Sequence, residues 1–424
     1  MKIAIIGTGI AGNVAAYHLN KQHDITVFEQ NDYLGGHTHT HDIDMPENQF
    51  SVDTGFIVFN YKTYPNFTKL LKELNVDVEP SSMSFSVKCE KSGLEYNGTT
   101  LNSLFAQRSN LVKPSFYRMI NDILRFNKIA VAILDTEQAN KSMAEILKEG
   151  DYSKEFIEHY LIPMGAAIWS SHPDQMMQFP AGFFIRFFHN HGMLNIDDRP
   201  VWHVIKGGSR EYVKKLTAPF SEKIRHSTTV KNITRHQDFV ELQLKDGSIE
   251  TYDQVFIATH SDQALSMLTD ASDIENETLG AIPYQENEAI LHTDETVLPK
   301  RKLAWAAWNY HILPEAQDRI ALTYNMNILQ NLKSDSQVCV TLNNAQAINP
   351  EKIIKTITYH HPIFTPAGIT AQSRQAEING ANRTYFCGAY WRYGFHEDGV
   401  VSALNAIQHF KENNNAQLHL RRAS

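Results

Sequence analysis

Cysteine is scarce in this sequence: Cys89, Cys339 and Cys387 are the only three in 424 residues, and they lie too far apart for a CxxC metal or redox pair. A zinc ribbon and a disulfide framework are thereby excluded, and a reducing, cytoplasmic setting is expected. Long apolar runs are also missing, since no stretch approaches the roughly 20 apolar residues that cross a bilayer. The apolar start, Ile3 to Ile6, is interrupted by Gly7 too early for a signal peptide. Contact with the inner face of the cell membrane remains open. The net charge of −8 comes without a long basic stripe, so no nucleic-acid partner is expected, although an acidic average leaves room for a local basic groove. Internal repeats are lacking as well. What is present, 42% apolar and 20% charged residues over a length that usually divides into two domains, describes a globular chain.

Ile3-Ala4-Ile5-Ile6 reads as a parallel strand covered on both faces, and it runs directly into Gly7-Thr8-Gly9-Ile10-Ala11-Gly12 and an apolar helix from Val14 to Leu19. Each glycine has its own role, Gly7 in the tight turn, Gly9 in the approach of a pyrophosphate, and Gly12 in the close packing of helix on strand. The anion then falls to the helix N-terminus, formed around Ile10 and Ala11. A second strand, Ile25 to Phe28, ends at Glu29 and Gln30, where an acid can accept hydrogen bonds from both hydroxyls of a ribose and would repel a 2′-phosphate. Strand, turn, helix, strand and acid in this order indicate an adenine dinucleotide. A second glycine turn, Leu34-Gly35-Gly36-His37-Thr38-His39-Thr40, follows where a simple NAD dehydrogenase would continue into its next strand–helix unit, so a nicotinamide dehydrogenase is the poorer reading.

Glu29, Gly35-Gly36 and Thr40 together resemble the flavin-binding signature of the FAD-dependent amine oxidase and phytoene desaturase superfamily, as does Val52-Asp53-Thr54-Gly55-Phe56. The resemblance implies an α/β fold, with a Rossmann-type FAD-binding domain and an inserted α+β substrate domain. His37 stands where many members carry Arg or Lys. Alternation places His37, His39 and His41 on one face of a strand, where three imidazoles could hold a metal. Cofactor contact already explains the slot after Gly36, so no metal is expected. Thr384 to Ala389 reads as a strand ending at Gly388, and Glu397 to Leu404 as the start of a helix; in the superfamily such an element closes over the flavin, with Asp398, Gly399 and Val400 near it. Tyr390 stands where members often have an acid.

Between these ends, Thr228 to Thr259 reads as a strand, a hairpin at Asp246-Gly247 and a strand returning to the sheet; by resemblance Val230 meets the adenine, with Thr259 at the returning strand's end. The cofactor domain is thus expected from residues 1–60, 200–263 and 360–424, and the substrate domain from 61–199 and 264–359. Pro114 to Asp135 has helical periodicity through Phe116, Met119, Ile120, Ile123, Leu124 and Ile133. The polar segment from Lys411 to Ser424 is expected to fray.

Phe179 to Phe188 is the most aromatic run, and its helical face with Phe183 and Phe187 suits a core, an apolar tunnel wall or a membrane-facing mouth. Trp305, Trp308 and Tyr310 offer a similar choice. Trp391-Arg392-Tyr393-Gly394-Phe395-His396-Glu397-Asp398 gathers aromatic and ionisable groups, with Tyr390 beside it, before the last helix. His396, Glu397 and Tyr393 are the candidate catalytic groups, as acid–base or sandwiching side chains; Arg392, Glu397 and Asp398 also fit a structural capping set. Gly-Gly-His-Thr-His-Thr, Ala304 to Tyr310, Tyr359-His360-His361-Pro362 and Gly388 to Gly399 resemble one bacterial branch of the superfamily, associated with cyclopropane, methylated and furan fatty acid metabolism. That resemblance implies an FAD-dependent oxidoreductase of the oxidase or desaturase type. The expected substrate is a hydrophobic one, an unsaturated or methylated fatty acyl chain of a phospholipid, dehydrogenated by hydride transfer to flavin. An amine oxidase and a non-catalytic flavin-binding redox sensor are the rival readings.

Overall fold

Ile3, Ala4 and Ile5 are fully buried because their strand, Lys2–Ile6, has a parallel neighbour on each side and helices on its faces. In the computed structural model, which describes residues 1–169, 172–195, 199–315 and 319–423 with side chains as far as Asn415, this strand is the centre of a five-stranded parallel sheet. The order is Ile224–Arg225, Asp24–Phe28, Lys2–Ile6, Gln254–Ile257 and Thr384–Phe386, so segments from both ends of the chain and its middle are neighbours. The helix Ile10–Leu19 and the final helix, His396–Ala423, pack together on one face through Val14, Ala15, Val400, Ala403 and Ile407. The final helix continues through the polar stretch that was expected to fray, up to Ala423; Ser424 lies outside the described residues.

The expected hairpin forms as an antiparallel meander, Val230–Arg235, Val240–Leu244 and Ile249–Tyr252, with Gly247 at φ +90° in its turn. A second sheet has seven strands in the order Ile353–Pro362, Tyr284–His292, Cys339–Leu342, Ala321–Asn325, Trp308–Ile312, Phe85–Cys89 and Leu94–Asn97. Helices from the segment 101–190 pack beside it. This is an α/β fold with a Rossmann-type FAD-binding domain and an inserted α+β substrate domain. The helix read between Pro114 and Asp135 spans Pro114–Ile133; it buries Phe116, Met119, Phe126, Ala130 and Ile133, whereas Leu124, counted with its apolar face, is exposed. Among the described residues no helix is long and apolar enough to cross a membrane.

Candidate active site

The first turn places its three glycines as the sequence requires. Gly7 has φ +97°, and a Cβ there would lie 2.9 Å from Ala258 O. Gly12 faces Gly7 O so closely that any side chain would collide with it, while a Cβ at Gly9 would have nothing within 4 Å, and Gly9 opens onto a cavity of about 860 Å³. The helix behind Gly9 has no side-chain cap and no acid in its first turn, so its free amides are available to an anion. Glu29 is buried at the neighbouring strand end, held by the Thr8 amide (3.0 Å), the Thr8 hydroxyl and the Asn31 amide (2.9 Å).

Along the cavity wall from this turn lie Gly7, Gly9, Ile10, Ala11, Glu29, Gln30, Gly35, Gly36, His37, Thr54, Gly55, Phe56, Val230, Thr259 and Gly388. The structure thus brings together residues from widely separated stretches of sequence. Six expected cofactor residues are not on the wall. Gly12 is beneath the turn. Asp53 is fully buried and clasps Ser209 N at 2.9 Å, Ser209 Oγ at 2.7 Å, Thr40 Oγ1 at 2.5 Å and Gln330 Nε2 at 3.0 Å; burial, opposed by these bonds, pushes its carboxyl up to about 6. Thr38 meets Tyr212 Oη at 2.6 Å and His396 Nε2 at 3.0 Å. Asp398 accepts from Phe395 N at 2.9 Å. Gly399 lets the final helix close against Ile10, its amide already donating to Phe395 O, and Val400 lies in the same contact.

The catalytic candidates separate. His396 lines the cavity, stacked on Phe56 at 3.5 Å between ring centroids, with Nε2 engaged by Tyr212 Oη at 2.8 Å. Burial, with His37 nearby, holds it well below the usual imidazole range, so it is neutral. Tyr393 also lines the cavity and packs on Phe183 and Phe187. Glu397 does not: its carboxylate accepts from Asn66 N (3.0 Å), Asn66 Nδ2 (2.7 Å) and Phe67 N (2.9 Å), capping the helix Pro65–Glu73. Glu397→Gln is therefore expected to lower stability by about 2 kcal/mol, the scale of a buried charge-assisted bond, and to leave the flavin absorption spectrum unchanged. A collapse of turnover with an unchanged melting temperature would return Glu397 to an acid–base role.

Of the pocket aromatics, Trp308, Tyr390 and Phe187 line the cavity. Four do not. Trp305 sits in the preceding turn with Nε1 bonded to Pro299 O at 2.8 Å; Tyr310 is one side-chain repeat further along its strand, in the core; Trp391 is packed behind Tyr390; and Phe183 stands behind the wall residues Trp169, Phe364 and Tyr393. Phe184 and Phe188 are core, which leaves no membrane-facing mouth on that helix.

Of the six described histidines on the wall, His37, His260, His360 and His361 gather together, with the ring of His37 5.4 Å from that of His361 and 6.1 Å from that of His260. Burial, with the neighbouring imidazoles, pushes His37 and His361 down to about 3 and His260 to about 4. Sequence reading did not assign His260, His360, His361, Tyr359 or Tyr324 to the site; the run of ring side chains ending the strand Ile353–Pro362 was the available signal. Among the described residues no group of three or more His, Cys, Asp or Glu side chains is placed to hold a metal.

The residues fit a flavin dinucleotide. The uncapped helix end and open Gly9 suit a pyrophosphate, Glu29 suits a ribose, and His37 Nε2, Tyr390 Oη and Trp308 Nε1 are buried in wall residues without protein partners. Fold and site define an FAD-dependent oxidoreductase. The model of the flavin containing amine oxidoreductase family matches residues 10–338, and the chain belongs to that family. Similar solved structures include a CLA-producing fatty acid isomerase from P. acnes, with TM-score 0.70, 16% identity and coverage of 96% of this chain and 98% of that one. Cyclohexylamine oxidase from Brevibacterium oxydans gives TM-score 0.70, 13% identity and coverage of 97% and 99%. A putative protoporphyrinogen oxidase from Exiguobacterium gives TM-score 0.69, 15% identity and coverage of 98% and 99%. No curated protein matches the sequence.

Proposed function

We propose that the protein dehydrogenates a hydrophobic substrate, an unsaturated or methylated acyl chain of a phospholipid, within a substrate domain formed by residues 61–199 and 264–359. The cofactor domain would comprise 1–60, 200–263 and 360–424. The observation that carries this reading is the charge of the cavity wall: among the described residues its one carboxylate is Glu29, at the nucleotide end, whereas Ile57, Val58, Met83, Phe187, Trp308 and Leu342 give the wall an apolar stretch. The described wall favours an apolar chain and offers a protonated amine no counter-ion away from Glu29. Bound FAD supplies a two-electron acceptor.

The chain's own residues then bind, orient and dehydrate. The turn at Gly7 to Ala11 and Glu29 hold the nucleotide, Trp308, Phe187 and Tyr393 orient the substrate and exclude water from it, and the His396 imidazole, fixed by Thr38 and Tyr212, supports the wall through Phe56. The released proton has a neutral wall imidazole or water within the cavity to receive it.

The test is anaerobic reduction of the bound flavin, followed as bleaching of its visible absorption, with unsaturated phospholipids and a panel of primary and secondary amines. Bleaching by phospholipid and not by amines is expected. Bleaching by amines alone would establish the amine oxidase reading, for which the aromatic Tyr359, Tyr390 and Tyr393 are suited, and bleaching by neither would favour a flavin-binding sensor.

A further inference from the structure

The far edge of the seven-stranded sheet carries a surface unlike the rest of this acidic chain. Two segments meet there. One runs from Leu101 to Arg118, through a short helix (Leu101–Leu104), a single turn and the start of the helix Pro114–Ile133; the other is the turn Lys300 to Leu303. Asn97, on the edge strand, ties them together: its side chain donates to Trp305 O at 2.8 Å, and its carbonyl accepts from Ser103 Oγ at 3.1 Å. The short helix packs directly on the turn Lys302–Ala304.

Apolar side chains stand out from this surface. Leu101 is 78% exposed and Val112 82%, and Leu111, Tyr117 and Leu303 are exposed beside them. They are fixed rather than trailing: Tyr117 Oη donates to Leu111 O at 3.0 Å, and Arg108 bridges Phe105 O at 2.8 Å and Asn102 Oδ1 at 2.7 Å. The same two segments contain Arg108, Lys113, Arg118, Lys300, Arg301 and Lys302, and no acidic residue, in a chain whose net charge is −8. Arg301 pairs with Glu95 at 2.8 Å and Arg118 with Glu155, and Lys302 lies 5.1 Å over the Trp305 ring; among the described residues Arg108, Lys113 and Lys300 have no carboxylate in a salt bridge.

Exposed leucine and valine ringed by basic side chains are complementary to one occupant, a bilayer surface carrying anionic headgroups, where the apolar tips enter the acyl boundary and the cations stay at the phosphates. We propose that Leu101–Arg118 and Lys300–Leu303 form a peripheral docking surface for an anionic membrane. Charge argues for this occupant, because these two segments hold six cationic and no acidic residues in a chain of net charge −8, so an anionic surface attracts this edge while it repels the chain's average charge. Geometry links docking to the cavity: the strand that follows Leu303 begins at Trp308, a cavity-wall residue, and pairs with Phe85, two residues after the cavity-wall Met83. The inference rests on exposed side chains and charge, and does not depend on the acyl-chain reading of the site.

Flotation of the flavin-loaded protein with vesicles tests it. Binding is expected to vesicles of phosphatidylcholine with about 30% phosphatidylglycerol, not to phosphatidylcholine alone, and to fall in about 0.5 M salt. Lys300→Glu with Lys302→Glu, and separately Leu101→Ser with Val112→Ser, are each expected to weaken binding at least about tenfold with flavin content unchanged. Ile249→Ser, which removes an exposed apolar side chain from the meander, is expected to leave binding intact. No flotation with anionic vesicles, or flotation unaffected by both double variants, would overturn the proposal. So would a self-association in sedimentation velocity that Leu101→Ser with Val112→Ser abolishes while vesicle binding persists, since the surface would then belong to a second copy of the chain.

Discussion

Gly9→Val is expected to give a folded, colourless protein, whereas Gly12→Val is expected to give little folded protein at all. The two glycines are three residues apart in one turn, yet their surroundings are opposite. Gly9 has an extended backbone, φ −62° and ψ 177°, which a branched residue accepts, and no atom within 4 Å of a Cβ built there; only the cavity loses space. A valine at that point occupies the path of the pyrophosphate, and a loss of FAD affinity of at least about hundredfold, near 2.7 kcal/mol, is expected. At Gly12 the new Cβ would collide with Gly7 O, and Ala258 Cβ stands 3.1 Å away, so the helix must leave the sheet. Melting temperature and FAD content measured on both variants separate the outcomes. Retention of stoichiometric FAD by Gly9→Val would mean that the nucleotide does not pass over this turn.

Acid is expected to destabilise the protein steeply between about pH 6.5 and 4.5. His37 and His361 are held down to about 3, and His260, His191 and His292 to about 4, each chiefly by burial. In the unfolded chain these imidazoles have a pKa near 6.5. As pH falls below that value the unfolded chain takes up protons that the folded chain does not, and each such group withdraws up to about 1.4 kcal/mol per pH unit until its folded pKa is reached. Asp53 and Asp398 work the other way: burial raises both to about 6, so the folded state binds their protons first and gains stability over the same window. The imidazoles outnumber them. Denaturant unfolding at successive pH values is therefore expected to show a falling free energy from about pH 6.5 downward. His361→Asn should make the slope shallower and Asp53→Asn should make it steeper. A flat or rising profile would show that these histidines are not buried as neutral groups.

The part of the site that was legible in the sequence is the part governed by local backbone sterics. A strand that runs into Gly7, Gly9 and Gly12 and a second strand ending in an acid can serve few purposes, and the turn, the uncapped helix and Glu29 stand together as that pattern requires. The histidine wall was not legible, because His37, His260 and His361 converge only when the ends of distant strands meet. Glu397 was left between an acid–base and a capping role for the same reason. Its partners, Asn66 and Phe67, lie 330 or more residues earlier, and nothing near Glu397 in sequence reveals the helix end that it caps.

Trp305 and Trp308 show the limit on a smaller scale. Both are aromatic residues of one short segment, but Trp308 opens the strand that pairs with Phe85 and faces the cavity, and Trp305 is turned outward by its bond to Pro299 O. Composition cannot separate them; strand register does. Asp53, Gly399 and Val400 are instructive in another way. The resemblance implied cofactor contact for them, but they lie off the cavity wall and support it from behind: Asp53 clasps Ser209 and Gln330, and Gly399 brings the last helix onto Ile10.

Hydrogen exchange of the flavin-loaded protein, compared with the same protein after FAD release, tests the central claim most directly. One continuous FAD groove predicts protection by the cofactor at once in the segments around residues 7–11, 29–30, 35–37, 54–56, 228–231, 258–260 and 388–390. Protection confined to the first turn and its neighbouring strand, with the segments around Phe56 and Gly388 unaffected, would contradict it.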